Sequence, residues 1–207
     1  AVEQCTPKAV LFENVRGFLR PKFAKYRESI RERLKGMGYN LIIESVNAKD
    51  YGVPQHRERV FIVGFLNPAA RAAYVSPPTT DRVVTVREAL TPLGKPDGRN
   101  GHSLHGNARA YAGHTGSSWD EIAKTITSGA NGLGGGANTL QLADGSVRYF
   151  TVREAATLQS FPDNYQFPET WTTAYRQIGN AVPVQLGYVF GEAVAAALSA
   201  DASMSTN

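Results

Sequence analysis

Apolar positions fall in short runs divided by polar turns, and the period inside the runs changes along the chain. Residues 8–14, KAVLFEN, form an apolar run closed by a carboxylate and an amide. A continuous run of this length predicts a buried strand covered on both faces. In residues 21–37, Phe23, Tyr26, Ile30 and Leu34 recur at steps of three and four and predict an amphipathic helix. Pro21 suits its first turn, and Gly36 and Gly38 its stop. The opposite face, with Lys25, Arg27, Arg31, Arg33 and Lys35, reads as solvated. Residues 39–46, YNLIIESV, and 60–63, VFIV, predict two more strands joined through a turn over 47–54. The order strand, helix, strand, loop, strand indicates an α/β chain, the second half of a doubly wound sheet.

Two polar spots punctuate these runs. Gln55, His56, Arg57, Glu58 and Arg59 stand directly before the VFIV strand, and strand alternation places Gln55, Arg57 and Arg59 on one side. Such a cluster is either a solvated charged turn or a multidentate donor site for a base or phosphate, and spacing leaves both open. Glu13 and Asn14 end the first strand, where open α/β sheets place their ligand crevice, although a carboxylate there also suits the start of an exposed loop. Glu13 and Arg59 meet at one sheet edge only if the VFIV strand runs antiparallel to the first.

From Leu66 the composition shifts to Pro, Gly, Asn, Thr and His with short apolar runs. Residues 66–147 read as a separate loop-rich region with a few short strands, and Thr85–Glu88 fits a capping box before a short helix. Residues 129–136, GANGLGGG, read as a flexible loop without the Gly-Lys-Ser/Thr ending of a phosphate loop. His102 and His105 have a spacing seen in metal sites, but no further ligands cluster with them, so no metal site is expected. Thr151–Glu154 repeats the capping-box pattern and opens a helix with Ala155, Leu158 and Phe161 on its apolar side, stopped by Pro162. Residues 177–183, QIGNAVP, form a small-residue turn, and Pro183 opens a last helix to about Leu198 whose glycines and alanines imply close packing. The expected division is a sheet over 1–65, a distinct lobe over 66–147, a return to the sheet over 148–198 and a disordered tail over 199–207.

Composition narrows the picture only a little. The chain has 207 residues, 42% of them hydrophobic, and a formal charge of +4, a mild preference for an anionic partner. The single cysteine, Cys5, excludes an intrachain disulfide and a cysteine-based zinc site and suits a reducing cytoplasm. Apolar runs are judged too short for a membrane span, and no signal peptide is read at the start. The first residue is not Met, and the chain opens almost inside a strand pattern; an N-terminally truncated piece or the second half of a split protein is expected.

Four stretches taken together resemble the DNA (cytosine-5)-methyltransferases, the bacterial modification methylases. PKAVLFENV is similar to the family's Glu-Asn-Val motif and QHRERVFIVG to its Gln-x-Arg-x-Arg motif. RYFTVREAATLQSFPD resembles the ninth motif and QIGNAVPV the tenth, in family order, so the resemblance covers nearly the whole chain. It implies methyl transfer from S-adenosylmethionine to C5 of a flipped-out cytosine in double-stranded DNA, with a cysteine thiolate adding to C6. It further implies that Glu13 contacts N3 and the exocyclic amine, that Arg59 contacts O2, and that Asn14 braces the nucleophile loop. Gln55 and Arg57 would hold the pocket wall and nearby backbone. By the same resemblance, 66–147 is the target-recognition domain, with Lys124, Thr125 and Thr127 facing DNA. Asn180, Ala181 and Val182 would lie beside the cofactor's methionine end, and the last helix would pack on the cofactor half of the sheet.

The departures from the family are equally specific. No Phe-x-Gly-x-Gly cofactor loop and no Pro-Cys nucleophile motif occur in the sequence, and Cys5 lies too close before Glu13 to replace the latter. Cys5 is expected to be a small packing residue. The resemblance therefore implies an incomplete S-adenosylmethionine site, an inactive isolated chain, and a partner half or subunit carrying both motifs. The rival reading is a non-catalytic, sequence-specific DNA-binding module, which has no need of Glu13 opposite Arg59. A dinucleotide-binding half-domain is disfavoured because no Gly-x-Gly-x-x-Gly is present.

Overall fold

A computed structural model describes residues 1–106, 108–110, 115–128, 136–167 and 170–204. In chain order the regular elements are α1 (Val2–Cys5), β1 (Ala9–Val15), α2 (Ala24–Gly36), β2 (Asn40–Asn47), β3 (Glu58–Phe65), α3 (Pro68–Ala73) and α4 (Val86–Leu90). They continue with β4 (Thr139–Gln141), β5 (Val147–Tyr149), α5 (Val152–Leu158), α6 (Trp171–Asn180) and α7 (Val184–Met204). Contacts divide the chain into two compact units. One comprises Ala1–Asn47, Glu58–Pro78 and Gly187–Asn207, the other Ala48–Arg57 and Thr79–Leu186.

The first unit is built on a three-stranded sheet of order β1-β3-β2. β3 runs antiparallel to both neighbours, as the edge argument required, so β1 and β2 point the same way. Being central, β3 is covered on both faces, and its β-branched and aromatic residues alternate accordingly. Val60 and Ile62 pack with Phe18 on one face. On the other, Phe61 stacks on Phe190 of α7 with ring centroids 4.0 Å apart. Gly64 lies opposite Val10 and Leu41, whose side chains would come within 2.9 Å and 2.6 Å of any Cβ placed there. The neighbouring strands thus close over a position that only glycine leaves open.

The helix expected over 21–37 begins as a 3-10 turn, Pro21–Phe23, before α2. Its apolar stripe is covered only in part: Leu34 is buried, whereas Tyr26 is 60% exposed. Cys5 ends α1 as an exposed free thiol rather than a packing residue. α7 continues to Met204, beyond the helix end and into the tail expected to be disordered, because its alanine-rich last part, after Gly191, carries neither Gly nor Pro.

The helical stretch Trp171–Ala200 also reaches the length and apolar composition of a membrane span, contrary to the sequence reading. Its alanines count as apolar, and the stretch is two helices, α6 and α7, divided at Ala181–Pro183.

The second unit holds one larger core. Val86 and Leu90 of α4, Leu140 of β4, Leu158 of α5, and Tyr175 and Ile178 of α6 pack together there. α5 begins with a complete capping box: Thr151 accepts from the Glu154 amide, and Glu154 accepts from the Thr151 amide. Arg148 adds a bidentate pair to Glu154, at 2.7 Å and 2.6 Å. The similar start of α4 is capped by Thr85, but there the Glu88 carboxylate pairs with Arg82 instead.

These units do not follow the expected boundaries. Leu66–Pro78 belongs with the sheet, and residues 48–57 belong with the second unit. The ninth-motif helix stays in the second unit too, because Val152, Ala155 and Leu158 supply part of its core. Within the expected return over 148–198, only the stretch from Gly187 belongs to the sheet unit. The glycine-rich loop over 129–136 lies almost wholly outside the described residues.

Candidate functional site

Glu13 ends β1 and Arg59 begins β3. In the antiparallel register Glu13 lies opposite Phe61 and Val15 opposite Arg59. Residues directly opposite share a face, as do residues two apart, so Glu13 and Arg59 are diagonal neighbours on one face of the sheet. Long side chains reach across that diagonal. Arg59 Nε lies 2.6 Å from Glu13 Oε1, with the side chains 9% and 21% exposed. Arg59 Nη1 also donates to the Glu58 carbonyl at 2.7 Å. Burial pulls the Arg59 guanidinium below its ordinary value, and the Glu13 charge acts in the opposite direction. The result is a half-desolvated pair of planar groups, one accepting and one donating, held side by side. Asn14, next in β1, is exposed, and its Oδ1 accepts from the Val15 amide at 2.9 Å.

Gln55 and Arg57 are arranged differently from the strand-alternation reading. β3 starts only at Glu58, so alternation does not extend back to them. Both are fully buried and bind backbone of their own unit. Gln55 Nε2 donates to the Leu158 carbonyl at 3.0 Å, and its Oε1 accepts from the Ile126 amide at 3.0 Å. Arg57 Nη1 donates to the Ile126 carbonyl at 2.8 Å, and Nη2 to those of Gly179 and Ala181 at 2.7 Å and 2.9 Å. They are not ligand-facing donors in a row with Arg59. They hold backbone of the second unit.

One guanidinium therefore ties the 124–127 segment to the turn at 180–182, the two stretches singled out for DNA and cofactor. Thr125 Oγ1 donates to the His56 carbonyl at 2.5 Å. Thr127 is held by Asn138, which accepts from its amide at 2.9 Å and donates to its carbonyl at 3.1 Å. Lys124 is exposed, and its amide donates to Ser117 Oγ. Asn180 is exposed at the end of α6, and Ala181 and Val182 are half-buried. Gly179 explains the small residues of this turn: a Cβ there would sit 2.3 Å from both Ser128 N and Thr127 C.

Three supporting residues escaped the sequence reading. Gln159 is fully buried and donates to the Ile178 carbonyl at 2.6 Å. Asn138 is fully buried against Thr127. Arg153 is buried and donates to the carbonyls of Asn100, Pro162 and Tyr165, which fixes the loop after α5. Their partners lie 9 to 53 residues away in sequence and leave no local pattern. The two histidines are also accounted for: His102 Nδ1 lies 2.9 Å from Thr151 Oγ1, and His105 stacks on Trp171 at 4.3 Å.

The family profile of C-5 cytosine-specific DNA methylases matches residues 1–90 and 98–196. Among curated relatives, the Type II methyltransferase M.NaeI of Lentzea aerocolonigenes is 32% identical over 227 residues, covering 96% of this chain and 52% of the relative. The Type II methyltransferase M.NgoMIV of Neisseria gonorrhoeae is 32% identical over 212 residues, covering 95% of this chain and 67% of the relative. The chain thus spans about half to two thirds of the length of these relatives. Among solved structures, the S. pombe Dnmt2 methyltransferase superposes with a TM-score of 0.62 at 24% identity, covering 97% of this chain and 68% of that one. The Entamoeba histolytica methyltransferase EhMeth gives 0.65 at 16% identity, covering 91% and 62%. At these identities the likeness is one of fold, the methyltransferase-type α/β architecture. The profile match over nearly the whole sequence makes this chain a member of the C-5 cytosine-specific DNA methylase family.

Proposed function

We propose that this chain is the C-terminal part of a DNA (cytosine-5)-methyltransferase, acting in the cytoplasm as the modification enzyme of a Type II restriction-modification system. The observation that carries the reading is the Glu13–Arg59 pair at 2.6 Å. Cytosine presents O2, N3 and the exocyclic amine along one edge. A carboxyl group beside a guanidinium matches that edge, Glu13 accepting from the exocyclic amine and, once it carries a proton, donating to N3, while Arg59 donates to O2. Only a base flipped out of the stack can be met this way. Negative charge grows on O2 and N3 when a nucleophile adds to C6, so both contacts strengthen as the barrier is crossed. A binding module without catalysis has no use for such a pair. Type II methyltransferases among the relatives support the modification role.

The nucleophile and the main cofactor loop belong, in this reading, to a preceding half or separate subunit with the Pro-Cys and Phe-x-Gly-x-Gly motifs. S-adenosylmethionine, when bound, supplies the methyl group. The residues here fit a minor share of its site: Asn180 is exposed, and the 179–181 backbone is pinned by Arg57. Residues 66–147 would contain the DNA-reading surface, with Lys124, Thr125 and Thr127 toward the groove. Asn14 would brace the nucleophile loop.

The test is methyl transfer from labelled S-adenosylmethionine to cytosine-containing duplex DNA. The expected result is no transfer by the chain alone and restored transfer on adding a matching N-terminal half. Glu13→Gln should lower the restored rate by about 100-fold or more, the usual loss for a group aimed at developing charge. Transfer by the chain alone, abolished by Cys5→Ser, would overturn the reading.

A further inference from the structure

β1 is an outer strand of its sheet, and only half of its backbone groups face β3. The Leu66 amide donates to the Lys8 carbonyl at 3.1 Å, which makes Lys8 and Leu66 a hydrogen-bonded pair just before the strand. Antiparallel ladders alternate such pairs, so Val10, Phe12 and Asn14 direct their amides and carbonyls to β3. Ala9, Leu11, Glu13 and Val15 turn theirs outward. The Val15 amide fits this phase, since it donates to the Asn14 side chain and not to β3. Among the described residues no strand lies against this outer edge.

Natural strand edges are commonly protected by a lysine, a proline, a bulge or an uncompensated charge. Between Ala9 and Val15, β1 has none of these. Its register with β3 runs without a bulge, and its one charge, Glu13, is held by Arg59 at 2.6 Å. Leu11, Phe12 and Val15 are exposed. A row of outward donors and acceptors beside exposed apolar side chains suits another strand.

The strand is complementary to itself. Turned end for end about Phe12, it sets Ala9 against Val15, and Leu11 against Glu13, of a second copy. Every outward residue then meets an outward residue. Phe12 faces its own counterpart in a non-hydrogen-bonded position, where Cα atoms approach to about 4.5 Å. No like charges stand opposite each other within Ala9–Val15. The other outer strand, β2, lacks this fit. There the Ala48 amide donates to the Arg57 carbonyl, so Leu41, Ile43 and Ser45 turn outward. Self-pairing in that phase sets Glu44 against Ile42 or against the Glu44 of a second copy.

We propose that β1 is a self-association edge: two copies of this chain pair their β1 strands antiparallel about Phe12 and continue the sheet from one copy into the other. The overlap is one short strand per copy, well below a standard interface, so the dimer forms only at high concentration. Glu13 lies in the shared ladder, so self-pairing and the Glu13–Arg59 pair use the same strand. A strand from any other chain competes for the edge.

Sedimentation velocity of the full chain over about 1 to 300 μM reads the association, and monomer should give way to dimer across that range. Leu11→Pro removes an outward donor without breaking a bond to β3. It should weaken dimerisation by about 10-fold or more and leave the circular dichroism spectrum unchanged. The register is read by cross-linking with diamide in a Cys5→Ser background. Phe12→Cys chains should join, because their Cα separation suits a disulfide, whereas Asn14→Cys chains, standing opposite Val10, should not. A chain that stays monomeric throughout leaves the edge to another strand and overturns the proposal. So would a Leu11→Pro dimer as tight as the unaltered one, or equal cross-linking at both positions.

Discussion

The two units differ in how completely they use their side chains. In the second, core residues from α4, β4, α5 and α6 pack in one cluster, and its buried polar groups bind backbone carbonyls and amides within the same unit. In the sheet unit the clusters around Val10 and Val60 are small. Phe12, Ile43 and Tyr26 are 38%, 43% and 60% exposed there, and the Glu13–Arg59 pair is half-buried. Burial with satisfied polar groups makes structure; half-buried pairs with spare capacity make sites. By that measure Gln55 and Arg57 of the second unit serve structure, although Thr157 Oγ1, Gln159 Oε1 and Trp171 Nε1 are buried there without a hydrogen bond among the described residues, and the half-buried Glu13–Arg59 pair stands in the sheet unit.

The comparison can be broken first at Arg57. Arg57→Ala strips three carbonyls of their donor and leaves a void in a fully buried place, so about 4 kcal/mol of stability should be lost. Urea unfolding measures this, and a loss under 1 kcal/mol would show that these three bonds do not hold the second unit together. Gly179→Ala comes next, at about 3 kcal/mol, because the new methyl meets backbone rather than a movable side chain. Its counterpart in the sheet unit, Gly36→Ala in α2, meets nothing within 4 Å and should be neutral or slightly stabilising.

The two similar helix starts sharpen the contrast at smaller scale. Thr151→Ala should cost about 2 kcal/mol, since it breaks a reciprocal box in a buried setting. Thr85→Ala should cost about 0.5 to 1 kcal/mol, because Glu88 is engaged by Arg82 and the box is already half open. Thermal unfolding of both variants compares them directly. Smallest of all, Ile43→Thr on β2 should stay within about 0.5 kcal/mol, as β-branching is kept and the site is exposed.

Much of the sheet unit was legible because short apolar runs with polar ends identify strands locally. The pairing of Glu13 with Arg59 followed from one further inference, the antiparallel sense of β3, and the register realises it. Gln55 and Arg57 show where local reading ends. They look like part of the same donor row, yet they precede the first residue of β3 and serve carbonyls far along the chain. Unit boundaries failed for the same reason: residues 48–57 join partners distant in sequence, and composition reports only neighbours. The α2 stripe is covered only in part, because periodicity gives the direction of a face but not what lies against it.

Arg57 carries one more consequence. Its two terminal nitrogens hold Ile126 on one side and Gly179 and Ala181 on the other, so neither segment can open without releasing the same guanidinium. The two stretches therefore form a single cooperative opening unit, and the amides of Ile126 and Ala181 should exchange with solvent at a shared rate although they lie far apart in sequence. A ligand that steadies one of them slows the breathing of the other without touching it.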